Sequence, residues 1–425
     1  MHVCIYTGYL PIKPLSRLIT AALFGGILAF STVQSHAATP TGTVTTKAVL
    51  EHYTGLAHAT FSDALSTAKT LQEKVDAFIA KPSAETQQAA KDAWLAARKP
   101  YSQTEGFRFG NPNLDAWEGQ VNAWPLDEGL IDYVQADAYE HEEGNAFATA
   151  NIIAGQEPID VALLKSLHEK GGSEANVATG YHAVEFLLWG QDLNTDLKSA
   201  ETRPHTDFLP GEGCTHGACD RRAAYLKAAT ELLVADLQTM VDDWAADKDN
   251  YRKTFLALDE QEALRRALFG LGSLSLGELA GERMNVALLA HSQEDEHSCF
   301  SDNTHNDIAE NARSIQNIFT GTYTRTDGSK LEGASLAQLL ASKEASLSET
   351  LLSKLAATQQ AAEAIVEAAK AGEPFDQQIA ADNIKGNERV KTTVAALRAQ
   401  TADLEAAAKS LGVDNLNPES SDALK

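Results

Sequence analysis

His182 and Glu185 stand three residues apart in Gly180-Tyr181-His182-Ala183-Val184-Glu185, so on a helix the imidazole and the carboxylate share one face beside an apolar run. Such a pair can hold a metal ion or pass a proton. Taken alone, it equally fits a structural histidine bonded to its neighbour. Two other stretches offer the same chemistry: Asp127-Glu128 with Asp132, four or five residues on, and Glu278 with Glu282, one helical turn apart. One histidine with several carboxylates is a mostly hard ligand set that suits iron, zinc, manganese or calcium. Helical bundles assemble such sites from facing helices. Arg108 and Arg283 can neutralise excess acid, and buried ion pairs are then the alternative role for these glutamates. The stretch from Glu294 to His305 is dense in oxygen and imidazole groups and contains His297 and Asp302.

The elements that must carry these residues read as helices. Twelve prolines in 425 residues, with segments rich in alanine, glutamate and leucine, favour an all-α fold. Leu71, Val75, Phe78 and Ile79 recur at helical spacing within a helix expected from Val49 to Ala80. Pro82-Ser83 breaks it, and a second runs from Ser83 to Arg98 with Trp94 inward. Pro100 to Tyr133, with Trp124 among its aromatic residues, reads as a long ordered loop of the kind that carries function. A short helix from Ile159 to Leu167 precedes the His182 helix, which stops near Gly190. Asp220 can cap a long helix from Arg221 to Ala246, and Asp259 begins another. Its continuation contains Gly270, Gly272, Gly277 and Gly281, which cost helix stability, so something must come close to that backbone. Gly321 to Gly333 reads as a hairpin or loop. Two alanine-rich helices, about Ser342 to Ala371 and Asp382 to Leu411, close the chain by packing. This layout predicts two helical-bundle domains packed together, 45–210 with His182 and 220–415.

Lys13 and Arg17 precede an apolar run from Leu18 to Val33 and then Ser35-His36-Ala37, the pattern of a signal peptide (1–37) cleaved after Ala37. The run is short for a spanning helix, and a retained anchor is the alternative. The formal charge of −24 becomes −26 without residues 1–37, which hold two basic residues and no acid. Such a surface repels nucleic acid and anionic membrane and attracts cations. In an exported chain Cys214 and Cys219 read as a short-loop disulfide. A zinc knuckle using His216 is the alternative, with only three soft ligands in reach. Cys299 is then an odd, buried thiol.

Taken together these stretches resemble the imelysin-like family, whose Gly-x-His-x-x-Glu motif matches Gly180 to Glu185. The resemblance extends to Gln103 to Pro112, Asn122 to Tyr133, Gly277 to Met284 and His297 to Asn303, and covers roughly residues 45 to 415. It implies an exported protein of a Gram-negative bacterium, periplasmic or outer-membrane-associated, made of two helical bundles with a site near their junction. It also implies a part in iron acquisition, with a metal ion or iron complex as ligand and an iron-uptake component as partner. The expected metal ligands are His182, Glu185, Asp132 and Glu278, with iron or zinc as the leading ion. Arg108, Trp124, Asp127, Arg283, His297 and Asp302 are expected to line the site. The family name also carries a peptidase claim. The zinc-peptidase patterns His-Glu-x-x-His and His-x-x-Glu-His need a second histidine, and Phe186 follows Glu185 here. A peptidase reading therefore needs a separate general base, for which Glu128 and Glu282 are the candidates. A third reading is an interaction scaffold in which His182 and Glu185 only staple the junction.

Overall fold

The computed structural model describes residues 44–425 except 140, 142, 195–196, 198–199, 201, 422–423 and 425. The segment read as a signal peptide lies outside the described residues. The fold is all-α apart from one small hairpin. Helix α1 (Thr46–Ala80) opens where the Ala48 N–H donates to the Thr45 hydroxyl. Ser83 and Thr86 cap α2 (Ala84–Ser102) reciprocally. This helix runs past Arg98 because Pro100 falls in its last turn, where a lost ladder bond costs least. The stretch expected as a loop is largely helical. Pro112 at the first position of α3 (Pro112–Asn122) presets its φ, and α4 (Glu128–Ile131) is a single turn.

After α5 (Val161–Leu167), the chain enters α6 (Gly180–Trp189), whose ten residues are all buried. Gly180 starts it at φ 82°, and a Cβ there would sit 2.5 Å from the Val121 carbonyl oxygen, so only glycine fits. Gly190, at φ 87°, ends it. Helix α7 (Cys219–Trp244) packs along α1 and against α6, so the helix after the cysteine loop joins those before it. Asp220 does not cap it. Ala218 precedes the helix, and Asp220 lies in the first turn, where its charge favours the helix N-terminus. Cys214 and Cys219 are joined, and Cys299 is a buried free thiol. His216 faces Asp207 instead, Nδ1 to Oδ1 2.7 Å.

Helices α8 (Tyr251–Leu256) and α9 (Glu260–Ser273) follow, and the chain then widens into i→i+5 turns over Leu274–Val286 before α10 (Ala287–Ala290). Two of the glycines here meet another backbone, and Gly272 and Gly281 meet the side chains of Pro418 and Ser421. A Cβ on Gly270 would lie 2.8 Å from the Gly106 carbonyl oxygen, and one on Gly277 3.0 Å from that of Glu419. The last described residues thus lie across the widened turns. Beyond them come α11 (Thr304–Thr320), the antiparallel pair β1 (Thr322–Thr324) and β2 (Lys330–Glu332), and α12 (Leu336–Ala341). Helices α13 (Ala345–Lys370), α14 (Phe375–Ile379) and α15 (Ile384–Ser410) complete the fold. A second core lies among the widened turns, α11, α13 and α15, around Met284, Ile308, Ile365 and Val390. Helices α11 and α15 contribute side chains to both cores, and Thr43–Lys425 forms one compact unit. Among the described residues no helix is long and apolar enough to cross a membrane.

Candidate functional site

Buried α6 presents His182 and Glu185 to each other, Nδ1 to Oε2 2.7 Å. The second Glu185 oxygen accepts from the Ser301 N–H at 3.0 Å and the Ser301 hydroxyl at 2.6 Å. The pair therefore does not point two ligands at one ion. Glu185 stands behind the histidine and fixes its ring, while His182 Nε2 is buried with no hydrogen-bond partner. Burial, with His297 next, holds the His182 imidazole well below its ordinary pKa. Burial pushes Glu185 up to about 8 although Ser301 opposes the shift.

His297 repeats the arrangement from the other side. Its ring meets that of His182 edge to face, centroids 4.9 Å apart, and its Nδ1 lies 3.1 Å from Asp307 Oδ2. Its Nε2 is 3.4 Å from the Asn122 amide nitrogen. Burial, then the Arg283 charge, lowers the His297 pKa to about 3. Burial opposes ionisation of Asp307, yet Arg98 and His297 hold its carboxyl well below the usual range. Two neutral imidazoles, each with a carboxyl group at Nδ1, thus sit side by side. Trp124 packs its edge on His297 and donates to the Glu296 carbonyl at 2.6 Å.

Above His297 opens a cleft of about 540 Å³ lined by six carboxylates, among them Glu118, Glu278 and Glu282, against two arginines, Arg108 and Arg283. The widened turns bring residues five apart together, so Arg283 Nε donates to Glu278 Oε1 at 3.0 Å. Arg283 also pairs with buried Glu105, and Arg108 bridges Glu118 at 3.2 Å and Glu278 at 3.7 Å. Burial alone raises a carboxyl pKa, but Arg283 and Arg108 bring that of Glu278 below its usual value. Asn122 ties the layers together, accepting from Arg98 and donating to Glu105 and Glu118.

Of the residues expected at one site, Trp124, Arg108, Glu278, Glu282, Arg283 and His297 line this cleft, with His182 and Glu185 in contact beneath it. Asp132 does not join them. It accepts from Arg222 at 2.6 and 3.0 Å and from Arg203 at 2.6 Å, a buried ion-pair cluster at the end of α4. Asp127 accepts from Asn145 and Tyr139 and braces a loop. Glu128 is buried in a different hollow beside Gln191 and Glu294. Burial, then Glu294, raises its pKa to about 9, so it is protonated at neutral pH and cannot serve as a base for the cleft. Asp302 meets Asp192 and Asp376 instead. Among the described residues that trio is the group of three His, Cys, Asp or Glu ligand atoms that converges tightly enough for an ion. Sequence spacing missed Asp307, Asn122 and Ser301. Asn122 and Ser301 lie inside motifs singled out above, whereas no pattern marks Asp307.

The family model for Imelysin matches residues 57–404. Iron-regulated protein A of Synechococcus elongatus is 24% identical over 344 residues, covering 79% of this chain and 76% of that protein. The crystal structure of an iron-regulated protein A precursor from Parabacteroides distasonis superposes with a TM-score of 0.64 at 20% identity, over 86% of this chain and 95% of that one. An imelysin-like protein from Psychrobacter arcticum gives 0.55 at 16%, over 86% and 97%. Both share this fold. With the matched motif on α6 and the family model running from α1 to α15, the chain belongs to the imelysin family.

Proposed function

We propose that this chain is an exported, periplasmic or outer-membrane-associated iron-acquisition protein that binds a metal centre at the base of the cleft, where His297 meets His182. The observation that carries the reading is His182 Nε2, a buried imidazole nitrogen with no partner whose other nitrogen is held by Glu185. A neutral imidazole fixed from behind by a carboxyl group is the form that ligates metals. His182 and His297 are the protein donors in this reading, and Glu278 and Glu282 supply charge around them. No third His, Cys, Asp or Glu atom converges with His182 among the described residues, so the metal brings ligands of its own, whether water or a chelator. Six carboxylates against two arginines favour a cationic or neutral complex over an anionic chelate. The metal supplies a Lewis-acidic or redox centre when bound. The chain's own residues position it, with Trp124 and His297 forming the floor. Iron or zinc titration of the native chain and of His182→Ala, followed by calorimetry, tests the reading. Binding in the native chain that falls at least tenfold in the variant is expected. Equal binding in both sinks the proposal.

A further inference from the structure

Away from the cleft, three carboxylates from distant parts of the chain meet. Asp192 lies just past α6, Asp302 in the turn before α11, and Asp376 in the first turn of α14. One ligand oxygen from each lies within 4.8 Å of the others, and all three residues are buried. A fourth acid, Glu296, is 0% exposed, and its carboxyl oxygens have no well-aligned donor, with the Asp376 carboxyl and the Thr304 hydroxyl the groups within reach. The Glu296 and Asp376 carboxyls lie within hydrogen-bond reach of each other and Asp302 also acts on Glu296, so Glu296 faces the same cluster. Asp376 Oδ1 is also without a partner. No lysine or arginine is among the groups that act most strongly on Glu296 or Asp376. Leaving such oxygens buried without a donor is costly unless a proton or a cation joins them.

We propose that Asp192, Glu296, Asp302 and Asp376 form a site for a hard divalent cation of the calcium class, separate from the imidazole cleft. Calcium binds oxygens at about 2.3–2.6 Å, so two ligands of one ion lie at most roughly 5 Å apart, and the oxygens of the trio fall within that reach. It takes six to eight oxygens in flexible geometry, and backbone carbonyls or water complete a shell that four carboxylates begin. Magnesium demands near-ideal octahedral geometry and keeps its water, and a set without imidazole or thiolate does not select softer metals. The cation ties the end of α6 and α14 to the 292–303 segment. That segment presents His297 to the cleft and Ser301 to Glu185, so occupancy of the acidic site steadies the groups around His182.

The test is thermal unfolding of the chelator-treated full chain at pH 7.5, titrated with calcium beside Glu296→Gln/Asp376→Asn. Calcium is expected to raise the native Tm by about 3 °C or more and to leave the double variant unchanged. Without metal the variant should match or exceed the native Tm, because two buried acids no longer face each other, and this shows that it folds. No calcium shift in the native chain, or an equal shift in the variant, overturns the site. A magnesium shift as large as that of calcium, or a response to iron alone, overturns the calcium assignment. His182→Ala should keep the full calcium shift, so failure of this site and failure of the cleft reading are told apart.

Discussion

Glu185 meets three polar partners where water does not reach, and this decides what His182 can do. The three-residue spacing made the pair legible in the sequence, but not its division of labour. On the helix the carboxylate turns back onto Nδ1, so Nε2 is the free nitrogen. Glu185→Gln keeps the shape but turns one acceptor into a donor. It is expected to lower unfolding free energy by about 1–3 kcal/mol in urea and metal affinity by about 10- to 100-fold. Asp307, which holds His297 in the same manner, was not legible because ten residues and a turn separate the two. Glu128 illustrates the opposite outcome, a candidate base that burial keeps protonated. Its folded pKa of about 9 lies above the ordinary 4.5, so the folded state binds the extra proton between these values. Stability from this group is full below pH 4.5 and is lost as pH rises toward 9. Glu128→Gln is expected to flatten that loss and to exceed native stability at pH 8 by about 2–4 kcal/mol, read from urea midpoints at pH 5 and pH 8.

Helix boundaries followed the sequence where hydrophobic spacing was strong, as in α1, and diverged where wide turns or local packing took over. Leu274–Val286 carries four-residue spacing between Glu278 and Glu282, which suggested a shared face. Its i→i+5 turns instead pair Glu278 with Arg283 and leave Glu282 exposed at the cleft. The glycines of this region were informative because the cost they impose on a helix points to a neighbour. Gly270→Ala is expected to destabilise by about 1–3 kcal/mol, since the new methyl meets a backbone carbonyl that cannot move aside, and denaturant unfolding measures it. At the end of α4, Asp132 was a reasonable ligand from its neighbours in sequence, but Arg203 and Arg222 lie 71 and 90 residues away and no local pattern announces them. Asp132→Asn is expected to cost about 3–5 kcal/mol while leaving metal uptake per folded molecule unchanged.

At the scale of the molecule, the cleft lies where α3, the 292–303 segment and the widened turns approach one another, so both halves of the chain build it. All-α architecture was legible from composition, and the packing of α7 with earlier helices was not, because amphipathic stripes do not name their partners. The acid-rich surface and the acidic lining act in the same direction. Association with a metal cation should slow several-fold between roughly 10 and 150 mM salt, as stopped-flow mixing can show, while an anionic chelate of the same metal should bind weakly throughout. Anomalous scattering from crystals grown with iron probes the two imidazole nitrogens of His182 and His297. A peak about 2.1 Å from Nε2 of His182 or His297 is expected. Iron found only at Asp192, Asp302 and Asp376, or at no ordered position, would contradict it.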